Sequence, residues 1–329
     1  MTSKIRRLVL NSTSRIPMLI GIYAGLEITG ASVKDVVCDS ARQVDAILAL
    51  QERFQTQFLL TAMDLSVEAE AFGCQIKMSE DEIPTVIGKQ VTSPDQINGL
   101  RIPAVGEKRT RVQLYTAQSL VAQATGLPVL GGLIGPFSLV GRLIGVSEAL
   151  ELSLTEPELL EGLLSKVTGF LINYAQAFHM EKADGIIMAE PAAGLLSPRG
   201  MGRFSSKYVK QIVEETQSDD FSVVYHNCGA KLIHLSEIVK TGAEVFHFGA
   251  PMDLGKALAQ VDANTLLAGN LDPARIFRGG TSAEVIEATQ NLLNITTSYK
   301  NFIISSGCDI PPFTPAENLQ TFYTTVRSA

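Results

Sequence analysis

Five short apolar runs in the second half of this chain each lead into a helical segment: GIIMAEPAA (185–193), FSVVYHNCG (221–229), EVFHFGAPMD (244–253), TLLAGNLDP (265–273) and FIISSGCDIPP (302–312). A strand that is apolar along most of its length is buried on both faces, and strands that alternate with helices pair in parallel. The first half repeats the theme less regularly. IPMLIGIYAG (16–25) precedes a helical stretch near 32–52, TQFLLTAMD (56–64) precedes a short helix in SVEAEAFG, and PVLGGLIGP (128–136) precedes FSLVGRLIG. A long helix follows, starting at TEPE, where Thr155 and Glu158 have capping-box spacing. The count is about eight strand–helix units, the number that closes a (β/α)8 TIM barrel. An open doubly wound sheet is the alternative, but no glycine-rich dinucleotide fingerprint follows the first strand. Residues 76–127 break the rhythm. They read as an excursion, with loop and hairpin in MSEDEIPTVIGKQVTS and one helix in EKRTRVQLYTAQSLVAQATG. No repeat, low-complexity tract or linker divides the chain, so one α/β barrel domain over 1–329 is expected.

Composition narrows the partners. The net charge is −7 and no Lys/Arg run exceeds Arg6-Arg7, so nucleic acid is disfavoured as a partner. No stretch approaches the roughly 20 apolar residues of a membrane span, and the N-terminus lacks the apolar core of a secretory signal. Four cysteines in 329 residues are not a disulfide framework. The expectation is a cytoplasmic, reduced protein whose thiols are available as ligands or nucleophiles.

The functional end of such a barrel is the face at the C-terminal ends of its strands. The late strands end in Glu190, in His226 with Cys228, in His247, in Asn270 with Asp272, and in Cys308 with Asp309; Asp64 ends an early strand in the same way. His226 and Cys228 are two apart on a strand, so they share a face. The adjacency of first and last strands in a barrel, with inward-leaning strand ends, is expected to bring Cys308 within reach. One imidazole and two thiolates suit Zn²⁺ with a fourth position open, the pattern of a catalytic rather than a structural site. Bland readings stand beside these. Cys38 and Cys74 are ordinary thiols, His179 and His234 are packing or surface residues, and His247 is either a core histidine or a rim residue. Asn270 and Asp272 are either site residues or caps of the next helix. No Ser-His-Asp order and no G-x-S-x-G are present.

The segments SRIPMLIGIY, MDLSVEAEAFGC, LPVLGGLIGPFSLV, IIMAEPAAGLLSP, YHNCG, LAGNLDP and SSGCDIPPFTPAENL, taken in order, resemble the uroporphyrinogen decarboxylase superfamily over nearly the whole chain. The resemblance implies a (β/α)8 barrel. It is more specific to the corrinoid-linked methyltransferase branch, whose zinc motif is H-x-C with a distant C, matched here by His226, Cys228 and Cys308. It implies a zinc-dependent exchange of a methyl group between a corrinoid (cobalamin), carried on a partner protein, and a small-molecule thiol or methyl donor. Many relatives have an acid at the end of the sixth strand, where this chain has FHFGAP. Glu190 is then the expected fourth ligand, with Asp309 in reserve. Asp64 or Glu190 would be the catalytic proton partner, and Asn270 and Asp272 would lie at the cofactor. The decarboxylase branch is the alternative, with Asp64 in the position of its catalytic aspartate. Its carboxylate-rich substrate needs basic residues after the first strand, and GIYAGLEITGAS has none. A non-catalytic ligand-binding barrel is the third reading.

Overall fold

The computed structural model describes residues 3–123 and 125–329. Seven parallel strands form one sheet: β1 (Leu59–Leu60), β4 (Val129–Ile134), β5 (Gly185–Ala189), β6 (Ser222–Asn227), β7 (Val245–Phe248), β8 (Leu266–Leu271) and β9 (Phe302–Ser306), hydrogen-bonded in that order. β2 (Gln75–Lys77) and β3 (Thr85–Ile87) pair antiparallel as a separate hairpin within the predicted excursion. The helix predicted next in that excursion is Thr110–Ala122; Ala124, within the range expected for it, lies outside the described residues.

The run at 16–25 is shorter as a strand than its composition implies. Pro17 bridges Ile304 of β9, Met18 N–H donates to Ile304 O at 2.9 Å, and Ile304 N–H donates to Ile16 O at 3.1 Å. Beyond Gly21 the chain turns into a short 3-10 helix, Ile22–Gly25. Each sheet strand from β4 on is buried along nearly its whole length, as apolar runs on both faces require.

Two apolar layers follow from the period of two along each strand. One lies between the strands and their helices. The other collects Met18, Leu60, Leu130, Ile187, Val224, Val245, Leu266 and Ile303, one residue or more from each of eight strand segments, together with Ile5 and Val9 of the N-terminal helix Lys4–Leu10. This inner cluster is the floor on which the site stands. The register continues its face upward: Val224 pairs with Val245, and two residues on His226 pairs with His247. On β9, Ile303 is followed two residues later by Ser305 on the same face. The inner face therefore changes from apolar to polar toward the C-terminal ends of these three strands, two residues later in the register on β9 than on β6 and β7.

The capping box expected at Thr155 does not form. One helix runs to Thr155, whose hydroxyl donates back to Glu151 O, and the next starts at Pro157 with no side-chain cap. Pro157 takes the first helical position, so the N-cap is Glu156, and Thr155 and Glu158 fall one position out of the box register. No described helix is long and apolar enough to cross a membrane.

The inner cluster should behave as an ordinary close-packed core. Ile187→Ala, fully buried in it, is expected to lower stability by about 2–5 kcal/mol, measured as a shift of the urea midpoint at unchanged slope.

Candidate metal centre

His226, Cys228 and Cys308 meet at the C-terminal ends of β6 and β9. One ligand atom from each lies within 4.8 Å of the others, and no other His, Cys, Asp or Glu among the described residues joins the group. His226 is buried and the two thiols are half-buried. The route by which Cys308 arrives differs from the expected one. β6 and β9 are separated by β7 and β8, and the gap is closed by the backbone at their ends. Gly249, just past β7, lies so close to Cys228 that a Cβ would fall on the Cys228 carbonyl. A Cβ on Gly307 would be 2.9 Å from Ala250 N and 3.2 Å from Gly249 Cα. Two residues without side chains let the last loop lie across two intervening strand ends.

His247, left open by the sequence, orients the ligand histidine. Its Nδ1 is 2.8 Å from His226 Nδ1 and its Nε2 is 2.8 Å from Ser305 Oγ, while Ser305 Oγ bonds to the Met18 carbonyl. The protons can be assigned from the far end. A carbonyl only accepts, so Ser305 gives its proton to Met18 and must accept from His247 Nε2–H. Burial, then the neighbouring His226, holds His247 well below the usual histidine pKa, so it is neutral and its Nδ1 is a lone pair. His226 Nδ1–H then donates to it. That leaves the Nε2 lone pair of His226 for the thiols' side, the tautomer a metal ligand needs.

The thiols are coupled as well. Cys308 S–H donates to Cys228, which lowers the Cys228 pKa to about 7. The same bond, with burial, pushes Cys308 up to about 12. A nitrogen and two sulfurs, one sulfur already biased to thiolate, are a borderline-to-soft donor set that fits zinc.

The acids take other parts from those expected. Glu190 is fully buried, but its Oε1 accepts from Phe137 N at 2.8 Å and Ser205 Oγ at 2.9 Å, and its Oε2 from Ser138 N at 2.8 Å. It caps the N-terminus of the helix Pro136–Ile144, where unpaired N–H groups attract a carboxylate. Burial raises its pKa, against those bonds. Its oxygens are committed there, so the fourth metal position expected of it is not offered. Asp64 accepts from Ser66 N and Oγ and from Arg109. Asn270 donates to Gly249 O and Met252 O, fixing the loop that carries Gly249, and Asp272 caps the helix that follows it. Asp309 is buried at its carboxylate, which has no hydrogen-bond partner. His234 accepts from Lys231 N at Nδ1 and donates from Nε2 to Leu196 O, 3.1 Å away, and so ties together the loops after β5 and β6.

In metal-free protein at pH 7, Cys228 is expected to alkylate faster than Cys308. Cys308→Ala removes the donor, raises the Cys228 pKa and lowers its thiolate fraction, slowing alkylation by roughly tenfold or more. Peptide mapping after timed iodoacetamide treatment checks this.

Known proteins with this architecture bear on the site. A model of the uroporphyrinogen decarboxylase (URO-D) family matches residues 11–329. Methylcobamide:CoM methyltransferase MtbA of Methanosarcina acetivorans is 29% identical, over 90% of this chain and 86% of the relative. Uroporphyrinogen decarboxylase of Parasynechococcus marenigrum is 26% identical, over 84% of this chain and 79% of the relative. Among solved structures, a methyltransferase from Methanosarcina mazei superposes with a TM-score of 0.88 at 22% identity, covering 100% of this chain and 99% of the other, a likeness of fold. The match along nearly its whole length makes this chain a member of the uroporphyrinogen decarboxylase family.

Proposed function

We propose that this chain is a zinc-dependent methyltransferase that exchanges a methyl group between a corrinoid, presented by a separate protein, and a small thiol or methylated substrate. The observation that carries this reading is the nitrogen–sulfur–sulfur triad of His226, Cys228 and Cys308 at the strand ends. The chain is an enzyme of methyl transfer, similar along most of its length to relatives named as methylcobamide:CoM methyltransferases. We take the eight strand segments that share the inner cluster as a closed (β/α)8 barrel in a single domain. The corrinoid would then approach the face where the triad lies.

Zinc held by these three residues supplies Lewis acidity that keeps a thiol deprotonated at neutral pH, or that polarises the leaving heteroatom of a methyl donor. The chain's own residues supply the rest. Cys228 and Cys308 offer thiolates once their shared proton is lost. His226 offers a lone pair on Nε2 because His247, Ser305 and the Met18 carbonyl hold its other proton at Nδ1. The rigid backbone of the strand ends fixes these donors before substrate arrives, so little reorganisation remains for the chemical step. Glu190 serves by anchoring the helix beside β5. Asp64 is buried and bonded to Arg109 and Ser66.

Purified, zinc-reconstituted protein is expected to hold about one zinc per chain, and Cys308→Ser to lose it. His247→Phe removes the acceptor for His226 Nδ1–H while keeping a ring in its place. It is expected to weaken zinc binding by about 10–100-fold. Metal analysis and competition with a zinc chelator read both effects. Demethylation of methylcobalamin with a panel of thiols, followed by its visible spectrum, should fall in parallel. A wild-type protein that takes up no zinc under reducing conditions would overturn the reading.

A further inference from the structure

The thiols of this chain are not equivalent. Cys38 ends the helix Val33–Cys38 and is exposed, and Cys74 is buried with its Sγ 3.8 Å from Arg142 O. Cys228 and Cys308 are a pair. Their sulfurs lie within 4.8 Å of each other, and a hydrogen bond from the Cys308 S–H joins them. Main chain imposes this proximity. Gly249 lies against the Cys228 carbonyl, and Gly307, the residue before Cys308, packs on Gly249. The sulfurs are neighbours because three main-chain segments pack without side chains between them.

Two sulfurs so placed can bond to each other. Both residues lie past the last residues of their strands, Asn227 and Ser306, and both thiols are half-buried, within reach of a small molecule that enters the centre. The third member of the triad differs. His226 belongs to β6, and its ring is held through His247 and Ser305.

We propose that Cys228 and Cys308 form a reversible disulfide, and that its oxidant is the disulfide of the small thiol this centre uses. The centre then has two exclusive forms, a dithiol that binds metal and a disulfide that does not. This rests on the thiol-substrate reading above and adds its regulation. A path that admits a thiol RSH to the two sulfurs also admits RSSR, so the RSH to RSSR ratio sets which form is present.

The exchange balances in two steps. One cysteine, as thiolate, attacks a sulfur of RSSR; the RS–SR bond breaks and RS⁻ leaves with the electron pair. The other cysteine attacks the cysteine sulfur of the mixed disulfide, the intramolecular bond forms, and a second RS⁻ leaves. The protons given up by the cysteines end on the two RS⁻. The dithiol is oxidised by two electrons and RSSR is reduced to two RSH. Rotation about the Cα–Cβ bonds brings the sulfurs to the bonding distance of about 2 Å. A disulfide sulfur carries no thiolate charge, so two of the three metal ligands are lost at once.

The test adds bis(2-hydroxyethyl) disulfide, the oxidised form of mercaptoethanol, to the full chain without air, with and without zinc. Non-reducing peptide mapping is expected to find the Cys228 peptide joined to the Cys308 peptide. A colorimetric chelator is expected to find about one zinc released per disulfide formed, and excess mercaptoethanol to restore both thiols and zinc uptake. Cys228→Ser and Cys308→Ser should each stop at a mixed disulfide on the remaining thiol of the pair. Cys38→Ser, at an exposed helix end, should leave the reaction as it is. Wild-type protein that stops at mixed disulfides, that keeps zinc while the pair oxidises, or that leaves the pair reduced while Cys38 reacts overturns the proposal. With zinc uptake intact, each of these results leaves the metal-centre reading standing. A Cys228–Cys308 disulfide in protein that never takes up zinc supports the disulfide site and overturns the zinc reading. Neither zinc uptake nor a disulfide overturns both.

Discussion

Parallel strands impose one condition from which the site follows: every strand ends on the same face, and every second residue of each strand faces the same interior. The apolar plug of Ile187, Val224, Val245 and Leu266 is one level of that interior, with Ile303 two residues further along the register on β9. His226, His247 and Ser305 are a higher level, and Cys228 lies two residues beyond His226. Of the metal-binding residues, His226 is held by the sheet's own hydrogen bonds, and Cys228 and Cys308 lie one and two residues past the ends of β6 and β9. The polar level is affordable in a buried position because each of its donors has an acceptor, down to the carbonyl of Met18.

That chain of hydrogen bonds also does chemical work before any substrate binds. An imidazole can present either nitrogen, and a buried site with no fixed partner would sample both. Here a main-chain carbonyl, which cannot donate, decides the direction of three successive bonds. The outcome at His226 is set from a residue at the other end of the protein. Glu190 illustrates the same economy. An acid at the end of β5 looks like a ligand by residue type, yet the unpaired N–H groups of the neighbouring helix claim both of its oxygens.

The sequence made much of this legible, for physical reasons. Apolar strand runs and their alternation with helices reveal burial on two faces, and the spacing of His226 and Cys228 reveals a shared face, since both are local properties. Joining Cys308 to them drew on its strand-end position and on its SSGC context. The route of Cys308 was not legible because it depends on what is absent from the intervening strand ends, the side chains of Gly249 and Gly307. The place of His247 had a readable signal. Laying VVYH over EVFH aligns the apolar residues of two consecutive strands and puts the two histidines side by side. The commitments of Glu190, and the lack of any commitment for Asp309, depend on tertiary partners from distant segments. The failure of the box at Thr155 reflects Pro157, which starts the helix one residue later than the box requires.

The bond from Ser305 to Met18 spans 287 positions of the chain. A polypeptide emerging from its N-terminus therefore carries His226 and Cys228 well before it carries the serine that orders them or the cysteine that completes them. Only when β9 adds beside the first segment do the tautomer of His226 and the second thiol fall into place together. Competence of the site is in this sense a report on the completed fold. A half-made chain exposes its paired histidines and one thiol without the arrangement that makes them selective.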